Sequence, residues 1–248
     1  MVGPVKETLF VERSATIRKD LIILRKNETE RFRYLLLKRS FDMVVSVLVI
    51  LLVLSWLIPL LAILIRLDSK GGIFFIQRRV GYRGKSFPCL KLRTMYVNKE
   101  AHSRQAVEND IRITRVGNFL RKSNLDELPQ FINVLLGQMS IVGPRPHMHK
   151  DCTTFAEMVE TYEFRHLMRP GITGLAQIKG YRGPAQHFES IFRRYQWDAF
   201  YIRNAGFLLD LRIIYKTAIQ TLGYFFNKLF SLFGITRDAR VSKLRVVR

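Results

Sequence analysis

Cysteine is scarce: Cys89 and Cys152 are the only two in 248 residues. Two thiols make no disulfide framework, so a small cross-linked secreted scaffold is excluded and a reducing compartment is the default. Acid is scarce too, with 20 Asp and Glu against 41 Lys and Arg, a formal charge of +21. Such an excess requires an anionic partner: nucleic acid, lipid headgroups or a phosphorylated substrate. No zinc module, recognition helix or RNA-reading aromatic sheet is visible, which sets nucleic acid aside. No internal repeat or low-complexity tract is apparent. A hydrophobic fraction of 48% is ample for one sizeable domain, or a domain with a smaller module.

What the chain does have is a long uncharged run, 23 residues from Met43 to Ile65. That length spans a bilayer. It is too long and too far from the N-terminus for a signal peptide, and it lacks a small-residue cleavage site. Lys38 and Arg39 precede it, and Arg66, Lys70, Arg78 and Arg79 follow. The positive-inside rule therefore places both ends on the cytoplasmic side. Pro59 interrupts the run one turn after Ser55. Proline frees a backbone carbonyl, and a serine hydroxyl can satisfy a freed backbone group in lipid. A single span and a re-entrant hairpin bent at Ser55 and Pro59 are both open; the hairpin predicts residues 20 and 100 on one side.

Residues 1–37 are polar and basic, with a helix expected from about Thr16 to Lys38 that either lies on an anionic leaflet or forms a solvated arm. After Gly71-Gly72, Ile73–Val80 and Phe87–Thr94 read as a β-hairpin around Gly81-Tyr-Arg-Gly84. Lys91 and Arg93, two apart on one strand face, point together at a phosphate or merely add to a basic surface. Residues 97–113 read as polar loop or exposed helix, and Ile113–Lys122 as a short basic helix. Ser140-Ile-Val-Gly-Pro-Arg-Pro146 fixes Arg145 between Pro144 and Pro146, stiff enough to clamp a phosphate or simply to turn the chain. His147-Met-His149 with Asp151 and Cys152 fits no zinc spacing and reads as surface. Apolar stripes predict helices over 155–162, 188–202 and 207–222, and an aromatic, basic end from Tyr224 that contacts either the membrane interface or the domain.

Asp126 and Glu127 stand among basic residues just before an apolar stripe of Leu128, Phe131, Ile132, Leu135 and Leu136. The spacing predicts a helix, with Gly137 as its stop. Pro129 belongs in the first turn, which sets the start near Leu125 or Asp126. The helix dipole would then favour both charged forms. The pair is either a cap or a nucleophile beside a metal ligand.

Together these segments resemble the bacterial sugar transferases, and more narrowly the monotopic phosphoglycosyl transferases, over residues 38–222. The motifs occur in one order: Lys38-Arg-Ser-Phe-Asp42, Arg66-Leu-Asp-Ser-Lys-Gly71, Phe74-Phe-Ile-Gln-Arg-Arg-Val-Gly81, Lys91-Leu-Arg-Thr-Met95, Ser123-Asn-Leu-Asp-Glu-Leu-Pro-Gln130, Ser140–Pro146, Arg169-Pro-Gly-Ile-Thr-Gly-Leu-Ala-Gln177 and Leu209-Asp-Leu-Arg-Ile213. The Pro-Arg-Pro-His-Met run and Lys179-Gly-Tyr-Arg-Gly183 look most like the undecaprenyl-phosphate glucose phosphotransferase branch. The chain departs from the family's habit at Trp56, where a proline usually follows the serine, and at Leu175, Arg203 and Ala205-Gly206.

The resemblance implies an α+β, mostly helical fold: a re-entrant membrane helix-hairpin, a small β-hairpin and interfacial amphipathic helices around a cytoplasmic catalytic domain. It divides the chain into a basic arm (1–37), a re-entrant anchor (38–70), a catalytic domain (71–222) and an interfacial tail (223–248). It implies Asp126 as nucleophile on the β-phosphorus of a UDP-sugar and Glu127 as ligand to Mg²⁺. Lys91, Arg93, Arg121 and Arg145 form the implied cationic cradle, with Pro144 and Pro146 bordering uridine. Undecaprenyl phosphate is the implied acceptor, at the bacterial inner membrane, among anionic lipids and with self-association open. A non-catalytic membrane-anchored nucleotide-sugar or anionic-lipid binding protein is the alternative.

Overall fold

The computed structural model describes residues 28–232 apart from 102, 103, 105, 108, 109 and 184–186. The expected N-terminal arm as far as residue 27 and the basic tail from Arg237 lie outside the described residues.

The fold is mostly helical. Helix α1 (Glu28–Val49) runs through a π turn (Ile50–Leu54) into α2 (Ser55–Asp68). Thr29–Asp68 is the one described helix long and apolar enough to cross a membrane, by length and composition. Pro59 lies inside α2 rather than at a break. The irregularity falls one turn earlier: Ser55 Oγ donates to the Leu51 carbonyl (2.6 Å), and Trp56 Nε1 to that of Leu52 (2.8 Å). Proline's missing N–H and ring bulk are thus accommodated by a widened turn upstream.

Both flanks of the apolar helix pack on one body. On α1, Lys38 Nζ pairs with buried Asp210 (2.8 Å), which also accepts from the hydroxyls of Tyr34 (3.0 Å) and Tyr201 (2.7 Å). Asp42 accepts the Ile141 N–H at 3.1 Å, and Arg39 reaches the Val134 and Leu135 carbonyls. On α2, Leu61 and Ile65 bury against Leu92 and Leu120. Between these flanks the outward side chains, among them Leu51, Leu52, Trp56, Leu60 and Ile63, are exposed.

Strands β1 (Phe74–Val80) and β2 (Ser86–Leu92) form the expected hairpin, in register Phe75↔Lys91 and Gln77↔Cys89. Helix α3 (Arg115–Ser123) starts on Thr114, whose hydroxyl accepts the Gly117 N–H at 2.9 Å, an N-cap bond. A 3₁₀ turn (Leu125–Glu127) precedes the short helix α4 (Gln130–Leu135), and Gly137 (φ +78°) ends it as expected. Strands β3 (Ser140–Val142) and β4 (Gly171–Thr173) pair in parallel, a second small sheet not foreseen in the sequence. Between them lie α5 (His149–Met158) and a 3₁₀ segment (Tyr162–Leu167). Helix α6 (Leu175–Ile178), α7 (Phe188–Asn204) and α8 (Phe207–Leu232) complete the chain; the stripes read separately over 207–222 and from 224 belong to one helix.

The main core gathers Met139, Val142, Tyr162, Phe164, Ile191, Ile202 and Ile213. Gly143 sets how closely β3 and β4 approach. A Cβ there would stand 2.3 Å from the Arg169 carbonyl oxygen and 2.9 Å from the Gly171 nitrogen. Backbone cannot yield as a flexible side chain would, so Gly143→Ala is expected to cost about 1–3 kcal/mol, read as a Tm several degrees lower.

Candidate active site

The carboxylate pair owes its place to two local decisions. Helix α3 seats on the exit of β2 because Gly117 has no Cβ; one would stand 2.0 Å from the Thr94 carbonyl oxygen. Asn124 then takes left-handed backbone (φ 63°), a conformation Asn tolerates better than most residues, and reverses the chain. The pair therefore lies in a 3₁₀ turn ahead of α4, with Pro129 as N-cap, and not in the first turn of a helix begun at Leu125 or Asp126.

Glu127 is gripped. Arg145 binds it two-pronged, Nη2 to Oε1 at 2.5 Å and Nη1 to Oε2 at 3.0 Å. Lys91 Nζ is 2.7 Å from Oε1, and Arg182 Nη2 is 3.4 Å from Oε2. Burial alone would raise this carboxyl, but the charges of Arg145 and Lys91 outweigh it and hold Glu127 well below the usual range. Asp126 differs: among the described residues no hydrogen bond reaches its carboxylate. Burial, then the neighbouring Glu127 charge, pushes its pKa up to about 6, against the opposing charges of Lys91, Arg121 and Arg145. Glu127 is thus held in its charged form by Arg145 and Lys91 and not by a helix end, and for Asp126 the expectation that the dipole favours the charged form fails because desolvation raises its pKa.

Both acids line a cleft of about 560 Å³ together with Lys91, Arg93, Arg121 and Arg145. The expected cationic residues are not equivalent. Lys91 and Arg145 touch Glu127, while Arg121 Nη1 reaches the Thr94 hydroxyl at 3.4 Å. Arg93 does not point with Lys91. Strand β2 ends at Leu92, and Arg93 donates to the Lys70 (2.6 Å) and Ser69 (2.8 Å) carbonyls, tying the end of the apolar helix to the domain. Pro144 and Pro146 bracket Arg145 without lining the cleft. Ser55 and Pro59 lie in the apolar helix, outside its lining.

Several residues not picked out in the sequence hold the Arg145 loop. Arg165 Nη2 donates to the Arg145 carbonyl (2.7 Å) and Arg79 Nη1 to that of Pro146 (3.1 Å). His147 lies between Arg165 Nη1 (3.2 Å) and Arg194 Nη1 (3.3 Å), with the Tyr162 hydroxyl against its Nδ1. Three guanidiniums thus brace three successive residues of one loop. Asp198 neutralises Arg165, accepting from Nε (3.2 Å) and Nη2 (2.8 Å). The surface reading of His147 is corrected: it is buried, and burial followed by the Arg165 and Arg194 charges holds it neutral, well below the ordinary imidazole range. One signal for Arg194 and Asp198 was present, since both share the i, i+3/4 stripe of Ile191, Tyr195 and Ile202. Arg165 carried no such signal.

Among the described residues no group of three or more His, Cys, Asp or Glu side chains could hold a metal ion. Mg²⁺ commonly takes only one or two carboxylates and completes its shell with water and substrate phosphate. Asp126 opens on the cleft with no hydrogen bond to its carboxylate among the described residues, whereas Glu127, both of whose oxygens are shared with Arg145, Lys91 and Arg182, would join it only as substrate phosphate draws those cations away.

Chemically this is a site for a multiply charged anion such as a phosphate or diphosphate: cations that can exchange a carboxylate for ligand oxygens, around one loosely held acid. The chain belongs to the bacterial sugar transferase family, which matches residues 33–224. It is 41% identical over 205 residues to the UDP-glucose:undecaprenyl-phosphate glucose-1-phosphate transferase of Xanthomonas campestris pv. campestris, covering 82% of this chain and 42% of that one. It is 44% identical over 193 residues to the exopolysaccharide production protein PSS of Rhizobium leguminosarum bv. phaseoli, covering 76% and 96%. The UDP-N-acetylgalactosamine-undecaprenyl-phosphate N-acetylgalactosaminephosphotransferase of Aeromonas hydrophila is 40% identical over 190 residues, covering 76% and 44%. The chain thus spans about two fifths of the Xanthomonas and Aeromonas proteins and nearly all of the Rhizobium one.

Proposed function

We propose that this chain transfers a sugar-1-phosphate from a UDP-sugar to undecaprenyl phosphate, the first membrane step in building a surface glycan such as an exopolysaccharide. The observation that carries the reading is the contrast within the acid pair: Glu127 is clamped by three cations, while Asp126 is unclamped in the same cleft. The names of the relatives support the substrate classes.

The Asp126 carboxylate attacks the β-phosphorus, the bond to the UMP oxygen breaks, and an aspartyl phosphosugar remains. An oxygen of undecaprenyl phosphate then attacks that phosphorus, expelling the carboxylate and leaving a lipid diphosphosugar. Both steps gather negative charge, which Lys91, Arg121, Arg145 and Arg182 are placed to balance. Glu127 orients Arg145 and Lys91 and would hold Mg²⁺, which when bound neutralises the diphosphate. Arg93, Pro144 and Pro146 keep the surrounding backbone in place.

The soluble donor and the lipid acceptor meet if the apolar helix enters and leaves the inner membrane by its cytoplasmic face. Support comes from the packing of both its flanks on the domain that carries the cleft. Single-sided protection of tags placed before residue 38 and after residue 70 checks this topology.

The deciding experiment incubates the membrane-bound protein with UDP-sugars and no lipid acceptor. A mass increase of one phosphosugar, with stoichiometric UMP, is expected; UMP released only when acceptor is present would overturn the two-step scheme. The rate should fall as pH drops through about 6, because protonation removes the attacking form of Asp126.

A further inference from the structure

A second groove, of about 720 Å³, shares no lining residue with the carboxylate cleft. It lies between the first four turns of α1, the β1–β2 turn at Tyr82 and Arg83, and residues 167–169. Four arginines line it: Arg31, Arg39, Arg83 and Arg169. Its one carboxylate, Asp42, is spent on the Ile141 N–H, and burial pushes it toward its neutral form. Lys38, also in the lining, is matched by Asp210. Arg39 and Arg169 are drawn together by the carbonyl end of α4: Arg39 donates to Val134 (2.7 Å) and Leu135 (3.0 Å), and Arg169 Nε to Gly137 (3.0 Å). Cations favour that end of a helix, and among the described residues no carboxylate forms a salt bridge with any of the four arginines, Asp42 offsetting Arg39 only in part. Burial and the Arg169 charge accordingly lower the pKa of Arg39.

The other wall is apolar. Phe32 and Leu35 line the groove, Leu36 and Leu37 beside them are exposed, and this surface continues into the uncharged run from Met43. A cationic pocket opening along an apolar helix face matches an amphiphile with an anionic head, not a free ion, which would gain nothing from the apolar wall.

We infer that this groove binds the phosphodiester headgroup of an anionic membrane phospholipid, whose acyl chains follow the exposed face of α1. The site rests on the proposed membrane seat of α1 and not on the transfer reaction. The lipid would fix the helix at its point of entry, separately from the acceptor.

The test is native mass spectrometry of the full chain in detergent with equal phosphatidylglycerol and phosphatidylcholine. Phosphatidylglycerol is expected to be retained preferentially. The Arg31→Glu/Arg83→Glu protein should lose that preference about tenfold, whereas Lys99→Glu/Lys150→Glu, an equal charge reversal elsewhere on the surface, should keep it. Arg83→Gln, a milder change at the exposed turn, should move the preference in the same direction if the double reversal fails to fold. Equal retention of both lipids would mean that acyl chains alone bind, and displacement by millimolar inorganic phosphate would mean a free-anion site. Retention blind to the Arg31 and Arg83 changes but raised by deleting residues 1–27 would give the groove to the chain's own N-terminal segment. Any of these overturns the inference. Covalent labelling of Asp126 by UDP-sugar is read separately, so failure of the lipid site and failure of the transferase reading are distinguishable.

Discussion

Asp126→Asn is expected to abolish both the covalent phosphosugar and UMP release, a loss of about ten-thousandfold or more, as for removal of other enzymatic nucleophiles. The amide has the shape of the acid, so the cleft and the grip on Glu127 remain. The same substitution should stabilise the protein near pH 8. The folded-state pKa of Asp126, about 6, lies above the ordinary 3.8. Its protonated form therefore supports the fold fully below pH 3.8, and that contribution is lost as pH rises through about 6. Asparagine carries no such charge. The variant should exceed the parent by about 3 kcal/mol at pH 8 and converge with it near pH 4, measured as Tm across pH. Residual labelling in Asp126→Asn would remove the nucleophile assignment, and an unchanged Tm gap across pH would remove the desolvation account.

Asp198→Ala is expected to be the most damaging single change to stability, at about 3–5 kcal/mol. It strands Arg165, which is 2% exposed and has no other carboxylate partner among the described residues. The loss should extend to function in the surviving folded fraction. Arg165 also holds the Arg145 carbonyl, so a misplaced guanidinium loosens the loop whose side chain clasps Glu127. Folded protein prepared at low temperature should show a raised KM for the UDP-sugar, and Asp198→Asn a smaller fall in Tm, since its amide oxygen can still accept one hydrogen bond. A Tm within a degree of the parent would show that the pair contributes nothing net.

Elements with long-period patterns were legible in the sequence. Helix α7 follows its apolar stripe, and the β-hairpin follows its glycine punctuation. The β3–β4 pair was invisible because each strand has three residues, too few for alternation, and the pairing joins segments some thirty residues apart. The carboxylate pair, Lys91 and Arg145 converge as the motifs suggest. Arg93 does not, because the strand face that would align it with Lys91 ends one residue too soon. Arg79 was read as a charge flanking the apolar run, and Arg165 and Arg194 only as part of a basic composition. A guanidinium that braces a buried carbonyl looks no different in sequence from one in solvent, and only its place on a buried helix face betrays it, as with Arg194.

The π turn at residues 50–54 reconciles the length of the apolar helix with its two inward-facing flanks. Asp42 and Ile65 both face the domain, yet 23 residues of unbroken α-helix would set them about 140° out of phase. The widened turn, with the proline after it, takes up part of that rotation and keeps both flanks turned inward. Removing one residue between Ile50 and Leu54 would leave 22 residues of regular α-helix, which set the two positions only about 40° apart, so the turn would revert to α and both flanks would keep their packing; adding one would swing everything beyond it by about a further 100° and carry Leu61 and Ile65 off Leu120. A residue lost there is absorbed by the turn; a residue gained rotates the whole second half of the helix.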